Sequence, residues 1–203
     1  MDAPGGRPVT VWRRVRELDR RLMRRTSRGR SPALDSSLVR ITRAANYSRL
    51  WLLIAGGLIV LGGRRGRRSA GRGIIAIAIA ATVANGPAKL LVRRRRPFSP
   101  ALIPMPRSTS FPSGHSAAAF AFATGACAEC PRLTPALGPL AAAVAYSRVH
   151  TGVHYPSDVA AGVAIGIGSG VLSARCAKGR LTRRGPHRAS VGCTPDGTLP
   201  LPD

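Results

Sequence analysis

Residues 73–97, GIIAIAIAATVANGPAKLLVRRRRP, decide how the chain is built. The first 20 of them, 73–92, carry a single charge, Lys89, and four arginines follow at 93–96. A helix needs roughly 20 mostly apolar residues to cross ~30 Å of hydrocarbon. This stretch therefore predicts a membrane helix with a basic edge.

The pattern recurs on both sides. Upstream, LWLLIAGGLIVLGG (50–63) ends at RRGRRSAGR (64–72), which reads as a basic loop. Downstream lie HSAAAFAFATGACAEC (115–130), LTPALGPLAAAVAYS (133–147) and VAAGVAIGIGSGVLSA (159–174). The expected helices are 50–63, 73–92, 114–130, 133–148 and 157–175, with starts near Gly114 and Ser157. Several are shorter than a full span, and snorkelling arginines at their ends make up the difference. Ala, Gly and Ser dominate them, as in membrane helices whose backbones approach closely. Any one run would suit a buried helix of a soluble bundle. Five of them between arginine-rich segments predict an all-α polytopic membrane bundle of about five transmembrane helices.

The ends are basic. The chain has 32 Lys+Arg against 8 Asp+Glu, net +24, which points to an anionic partner. Thirteen arginines fall between Arg7 and Arg49. VWRRVRELDRRLMRR (11–25) places Val11, Trp12, Val15, Leu18 and Leu22 near helical spacing. It reads as a basic amphipathic helix on an anionic membrane surface, with nucleic-acid binding as the competing reading. ALDSSLVRITRAA (33–45) reads as a second helix after the turn-prone SRGRSP (27–32). The organisation expected is a basic amphipathic region at 1–49, a membrane-embedded domain at 50–175 and a basic tail at 176–203. The tail mixes Arg, Gly, Pro and Thr, and is expected to be disordered after residue 180. The positive-inside rule does not orient the bundle, because an odd number of spans puts the two basic ends on opposite sides. No signal peptide is visible. Cys127 and Cys130 form a CxxC with no completing partner, so neither a metal nor a disulfide is assigned.

Polar residues gather where the apolar runs end. Between Ser36 and Pro195 the only acids are Glu129 and Asp158, and an acid kept in such a setting marks a function. The three clusters are KLLVRRRRP (89–97), PSGH (112–115) and SRVHTGVHYPSD (147–158). If runs two to five alternate across the bilayer, all three meet at one membrane face. Each alone has a bland explanation: a solvated arginine run, a helix cap, a helix-surface His–Asp contact. Their convergence does not. Lys89, Arg96, Arg107 and Arg148 would surround one compact anion, and phosphate matches guanidinium forks best. Pro112-Ser113-Gly114 before a helix offers free backbone N–H groups to an anion. His115 and His154 supply an acid and a nucleophile. With Ser157 as N-cap of the last helix, Asp158 can accept the His154 Nδ1 proton and leave Nε2 free to attack.

The spacing Lys-x6-Arg-Pro, then Pro-Ser-Gly-His, then Ser-Arg-x5-His-x3-Asp resembles the type 2 phosphatidic acid phosphatase superfamily, the membrane lipid phosphate phosphatases. Here these are Lys89 to Arg96-Pro97, Pro112 to His115, and Ser147-Arg148 through His154 to Asp158, within roughly residues 50–175. The resemblance implies a phosphohistidine on His154, oriented by Asp158, with His115 protonating the leaving alkoxide. It implies phosphoryl binding by Lys89, Arg96, Ser113, Gly114 and Arg148, with no metal and no cofactor. His150 and Arg107 lie outside the signature and have no role assigned. Many members are similar to a six-helix bundle, against five apolar runs here. The expected substrate is a lipid phosphate or diphosphate: phosphatidic acid, a polyprenyl phosphate or diphosphate, or a phosphorylated glycolipid. The expected location is the cell membrane. Two alternatives stand beside this. Vanadium haloperoxidases resemble the same signature with vanadate in the phosphate position, but they are soluble. A non-enzymatic arginine-rich binder of nucleic acid or anionic membrane leaves the three clusters unexplained, and no nucleic-acid motif is present.

Overall fold

A computed structural model describes residues 7–97 and 101–183, with side chains described for 11–97 and 101–176. All regular structure among these residues is helical. The helices are α1 (Arg7–Arg28), α2 (Pro32–Ala44), α3 (Arg49–Leu61), α4 (Gly63–Asn85), α5 (Pro87–Leu91), α6 (Gly114–Glu129), α7 (Thr134–His150) and α8 (Pro156–Arg183). Short 3-10 turns at Asn46–Ser48 and Pro131–Leu133 join α2 to α3 and α6 to α7. The five apolar runs are all helices at the expected places, and the chain is an all-α integral membrane bundle.

Local chemistry sets the boundaries. Ser31 caps α2, accepting the Leu34 N–H at 3.3 Å, with Pro32 pre-set for the first turn. Ser113 caps α6 by accepting from Ser116 N. Gly86 breaks α4 from α5. The expected cap Ser157 is a correction. α8 begins one residue earlier, at Pro156, and Asp158 Oδ2 accepts the Tyr155 N–H at 2.9 Å. Asp158 N–H in turn donates to Tyr155 O at 3.0 Å. Asp158 is thus the third residue of the helix and reaches back to the amide of Tyr155 just before it, while both polar groups of Ser157 are used elsewhere.

The basic segment 64–72 is the second correction. It is the first part of α4 and not a loop. Arginine is a good helix former, and its stem covers apolar surface while its charge reaches water. The inward positions of this stretch are the small Gly66, Ser69, Ala70 and Gly73, while Arg64, Arg65, Arg67 and Arg68 stay exposed. Arg72 pairs with Glu129 at 2.8 Å, which accounts for the first of the two central acids.

Among the described residues, two helices are long and apolar enough to cross a membrane alone, Gly63–Leu91 (α4 with α5) and Pro156–Cys176 of α8. Pro32–Ala44 and Asn46–Leu61 reach that length together but bend by 59° between them. α3, α6 and α7 have 13, 16 and 17 residues, short of a span. α8 runs past its expected end to Arg183. The expected disorder after 180 therefore falls mainly on residues 184–203, which lie outside the described part.

Small residues form the core. Ala76, Ala80 and Ala84 of α4 meet Ala117 and Ala121 of α6. Trp51 of α3 is fully buried, its ring 5.5 Å from that of Phe122. α8 meets α6 along Gly162, Gly166 and Gly170, spaced by four on one face. A Cβ on Gly162 would stand 2.4 Å from Ser113 O, and one on Gly166 2.5 Å from Ala117 O. Gly162 thus seats α8 directly beneath the PSGH turn. Gly162→Val is expected to destabilise the protein by about 1–3 kcal/mol or more, because the obstructing atoms are backbone and cannot move aside. Gly168→Val, on the same helix with nothing within 4 Å, should be tolerated. Thermal unfolding of the two variants in one detergent checks this. Equal midpoints would remove the close-approach argument.

Candidate active site

The end of α5, the start of α6, the end of α7 and the start of α8 lie at one end of the bundle around a cavity of about 330 Å³. Lys89, Arg96, Gly114, His115, Arg148 and His154 all line it. The convergence expected from counting apolar runs is therefore present in three dimensions. Asp158 and Ser113 stand behind the lining.

His154 lies on the short loop between α7 and α8, with its N–H donating to Arg148 O at 3.2 Å. Its Nε2 is 3.2 Å from Arg96 Nη1. Its Nδ1 faces Asp158 Oδ2 at 3.8 Å, longer than a hydrogen bond, and has no other partner. Burial pushes the imidazole below its ordinary value of 6.5, and the Arg148 and Arg96 charges add to this against the pull of Asp158. The net direction favours the neutral ring.

Asp158 is fully buried and held on several sides. Oδ1 accepts from Arg94 Nη1 at 2.8 Å, and Oδ2 accepts from Ser110 Oγ and from Tyr155 N–H. Its carbonyl accepts the Ser113 N–H at 3.0 Å, tying the start of α8 to the start of α6. The amide and hydroxyl of Ser113 are thus both engaged, the latter with Ser116. The first-turn amides of Gly114 and His115 have no intrahelical acceptor. Gly114 also has open space where a Cβ would stand.

Arg148 is buried on α7. Nη1 donates to Thr42 Oγ1 of α2 at 2.5 Å, and Nε has no partner. Arg96 braces the 108–109 turn through Ser108 O, Ser108 Oγ and Thr109 O, and donates to Val153 O at 2.7 Å. Lys89 Nζ donates to Asn85 Oδ1 at 2.8 Å, and His115 Nε2 is 2.9 Å from Asn46 Oδ1. Tyr47 and Ser48, beside Asn46, have φ of 51° and 59° and border the cavity. Non-glycine residues in that region are uncommon and concentrate at functional sites.

Of the two histidine and arginine residues without assigned roles, His150 is structural. Its Nε2 is 2.6 Å from Asp35 Oδ1, and its carbonyl accepts from Arg30. Arg107 is exposed in a neighbouring groove with Arg93–Arg96. Sequence reading missed Arg94, Ser110, Asn46, Thr42 and Asp19. Arg94 had a signal available. Residues 92–97 lie outside any helix, and exposure alternates along the arginines. Arg93 and Arg95 are exposed, while Arg94 and Arg96 turn inward. Among the described residues no three His, Cys, Asp or Glu side chains cluster as metal ligands.

Comparison with known proteins agrees with this architecture. LpxE of Aquifex aeolicus is 27% identical, with a TM-score of 0.66 over 78% of this chain and 95% of that one. A transmembrane PAP2-type phosphatidylglycerolphosphate phosphatase from Bacillus subtilis shares the fold at 24% identity, with a TM-score of 0.65 over 86% of this chain and 89% of its own. None of the curated proteins matches. The PAP2 superfamily pattern matches residues 71–181, from within α4 through all three polar clusters, and the chain belongs to the PAP2 superfamily.

Proposed function

We propose that this protein is an integral membrane phosphatase that hydrolyses the phosphate monoester or diphosphate of a lipid through a phosphohistidine on His154. The observation that carries this reading is the convergence of three cations and two histidines on one cavity. His154 Nε2 attacks phosphorus, forming an N–P bond as the P–O bond to the lipid breaks. His115 gives its proton to the departing alkoxide. Water then attacks the phosphohistidine, His115 takes the water proton, and phosphate leaves His154 free. Arg96, Arg148, Lys89 and the Gly114 and His115 amides hold the equatorial oxygens, where charge develops. Buried polar atoms without partners are uncommon. Arg148 Nε and His154 Nδ1, both of this kind, would be satisfied by a bound phosphoryl group and by Asp158.

The surroundings favour a lipid over a soluble ester. Tyr47 on the cavity wall is 85% exposed, and Leu90 and Leu91 beside Lys89 are 71% and 82% exposed. An acyl or prenyl tail would cover these residues while the phosphate enters the cavity. Phosphate release should be measured from micellar phosphatidic acid, polyprenyl phosphate and diphosphate, a phosphorylated glycolipid and a soluble sugar phosphate. Turnover is expected on at least one lipid, with the soluble ester poorest, and unchanged by EDTA. Loss of turnover with chelator, or preference for the soluble ester, would refute the reading.

A further inference from the structure

We propose that Asp19 is a positioning residue for phosphoryl transfer: from α1 it holds Arg94 and the first turn of α8 so that Asp158 keeps His154 in its attacking orientation. This rests on the function proposed above. α1 was expected to be a surface helix with an apolar seam, yet the most buried residue on that seam is an acid, 2% exposed. Val15, Leu22, Met23 and Thr26 flank it on the inward face, while the arginines face outward. A buried carboxylate needs partners, and all those of Asp19 lie next to the catalytic aspartate. Its Oδ2 accepts from Arg94 Nη2 and from Ser157 Oγ, both at 2.6 Å. Its Oδ1 accepts the Ser157 N–H at 2.9 Å.

Arg94 completes the link. Its other terminal nitrogen donates to Asp158 Oδ1 at 2.8 Å and to Ser157 Oγ at 2.7 Å. The guanidinium lies 3.9 Å over the Tyr155 ring, which fixes its plane. One arginine thus bridges two buried acids, and the second of them faces His154 Nδ1. A mere latch for α1 could sit anywhere along 22 residues. This one ends on the groups that set the catalytic carboxylate.

The arrangement also sets charge. Shared between two carboxylates, Arg94 neutralises Asp158 less than it would alone, so Asp158 stabilises the imidazolium better. The charged and titratable groups around His154 are Asp158 from α8, Arg96 from the 92–97 segment, Arg148 from α7, His115 from α6 and Lys89 from α5, with Arg94 behind Asp158. Removing the Asp19 charge leaves this set more positive. The His154 titration then moves to lower pH and turnover slows. KM, set by the cavity cations, is unaffected.

The test uses the full chain in nanodiscs, with 13C-labelled histidine to follow the His154 titration directly. Asp19→Asn should lower kcat by about a hundredfold, the scale of a 1 Å misplacement of a reacting group. KM should stay within about twofold, as for loss of an interaction made only in the transition state. The His154 midpoint should move down, and Asp19→Glu should recover part of the rate. In an Arg94→Gln background Asp19→Asn should cost much less than in the wild type. A wild-type kcat, a fall in thermal midpoint with an unmoved titration, or full additivity with Arg94→Gln would each overturn the proposal. If Asp19→Asn does not yield monodisperse protein, Arg94→Lys decides. It keeps the charge but cannot bridge both acids, so it should reproduce the kcat loss at unchanged KM, and a wild-type rate refutes the bridge. A wild-type protein that hydrolyses no lipid phosphate would remove the proposed function and leave the titration arm standing, so the two failures are distinguishable.

Discussion

His154→Ala is expected to reduce turnover on the order of 10⁴-fold or more, the scale of losing a nucleophile that acts as part of a unit. Nε2 borders the cavity beside Arg96, whereas the Nε2 of the other lining imidazole, His115, is engaged by Asn46. Ser48, Ser108 and Thr109 also line the cavity. Among the described residues no imidazole or carboxylate contacts their hydroxyls, and Ser108 Oγ is already engaged by Arg96. A hydroxyl without a base is a poor nucleophile at neutral pH. Brief reaction with labelled lipid phosphate and an acid-free quench should trap label in the wild type that survives base and is lost in acid. His154→Ala should trap none. Label on a serine would refute the assignment. The pH profile gives a second check. Burial lowers the His154 value, so the proposed nucleophile is expected to stay neutral to below pH 6.5. The acid limb of kcat/KM should therefore lie below that point, with activity lost as the pH falls through it.

How much of this was legible in the sequence depends on the range of the information. The apolar runs are local patterns, and all five became helices because periodicity and composition act within one turn or two. The segment 64–72 was misread because charge density was taken for solvent exposure of a loop. On a helix the same arginines occupy one face while Gly66, Ala70 and Gly73 pack behind them. Lys89, Arg96, Gly114, His115, Arg148 and His154 line one cavity because they sit at run ends, and topology brings run ends together. Arg94 and Asp19 were hidden for the opposite reason. Their contacts join residues 64 and 75 apart, and nothing local in an arginine-rich helix shows that one aspartate turns inward. The buried place of Asp19 beside Val15, Leu22 and Met23 shows in hindsight as an acid on an apolar seam. Ser110 had no such signal. Its hydroxyl matters only because the 108–113 turn folds back over the start of α8.

Asp158→Asn should cost on the order of a thousandfold or more in kcat, by analogy with carboxylates that orient a catalytic histidine. The Nδ1 to Oδ2 distance of 3.8 Å is consistent with this role, since catalytic hydrogen bonds are often long until substrate is bound. The carboxylate's other contacts make the substitution more disruptive than a change of tautomer. Both oxygens accept: Oδ1 from Arg94, Oδ2 from Ser110 and the Tyr155 amide. An asparagine has one oxygen, so its NH2 must face a donor whichever way it turns, leaving buried donors opposed. Asp158→Asn should therefore lose stability as well as rate. Ser110→Ala separates the two effects. It deletes one donor, keeps the carboxylate and its charge, and should cost about 1–3 kcal/mol of stability at most, with a far smaller loss of kcat than Asp158→Asn. Thermal midpoints and kcat for the two variants, measured in the same detergent, decide the matter. If Ser110→Ala is as inactive as Asp158→Asn, the aspartate serves to fasten the turn to α8. If Asp158→Asn alone loses the rate at a comparable midpoint, the charge facing His154 is what catalysis uses.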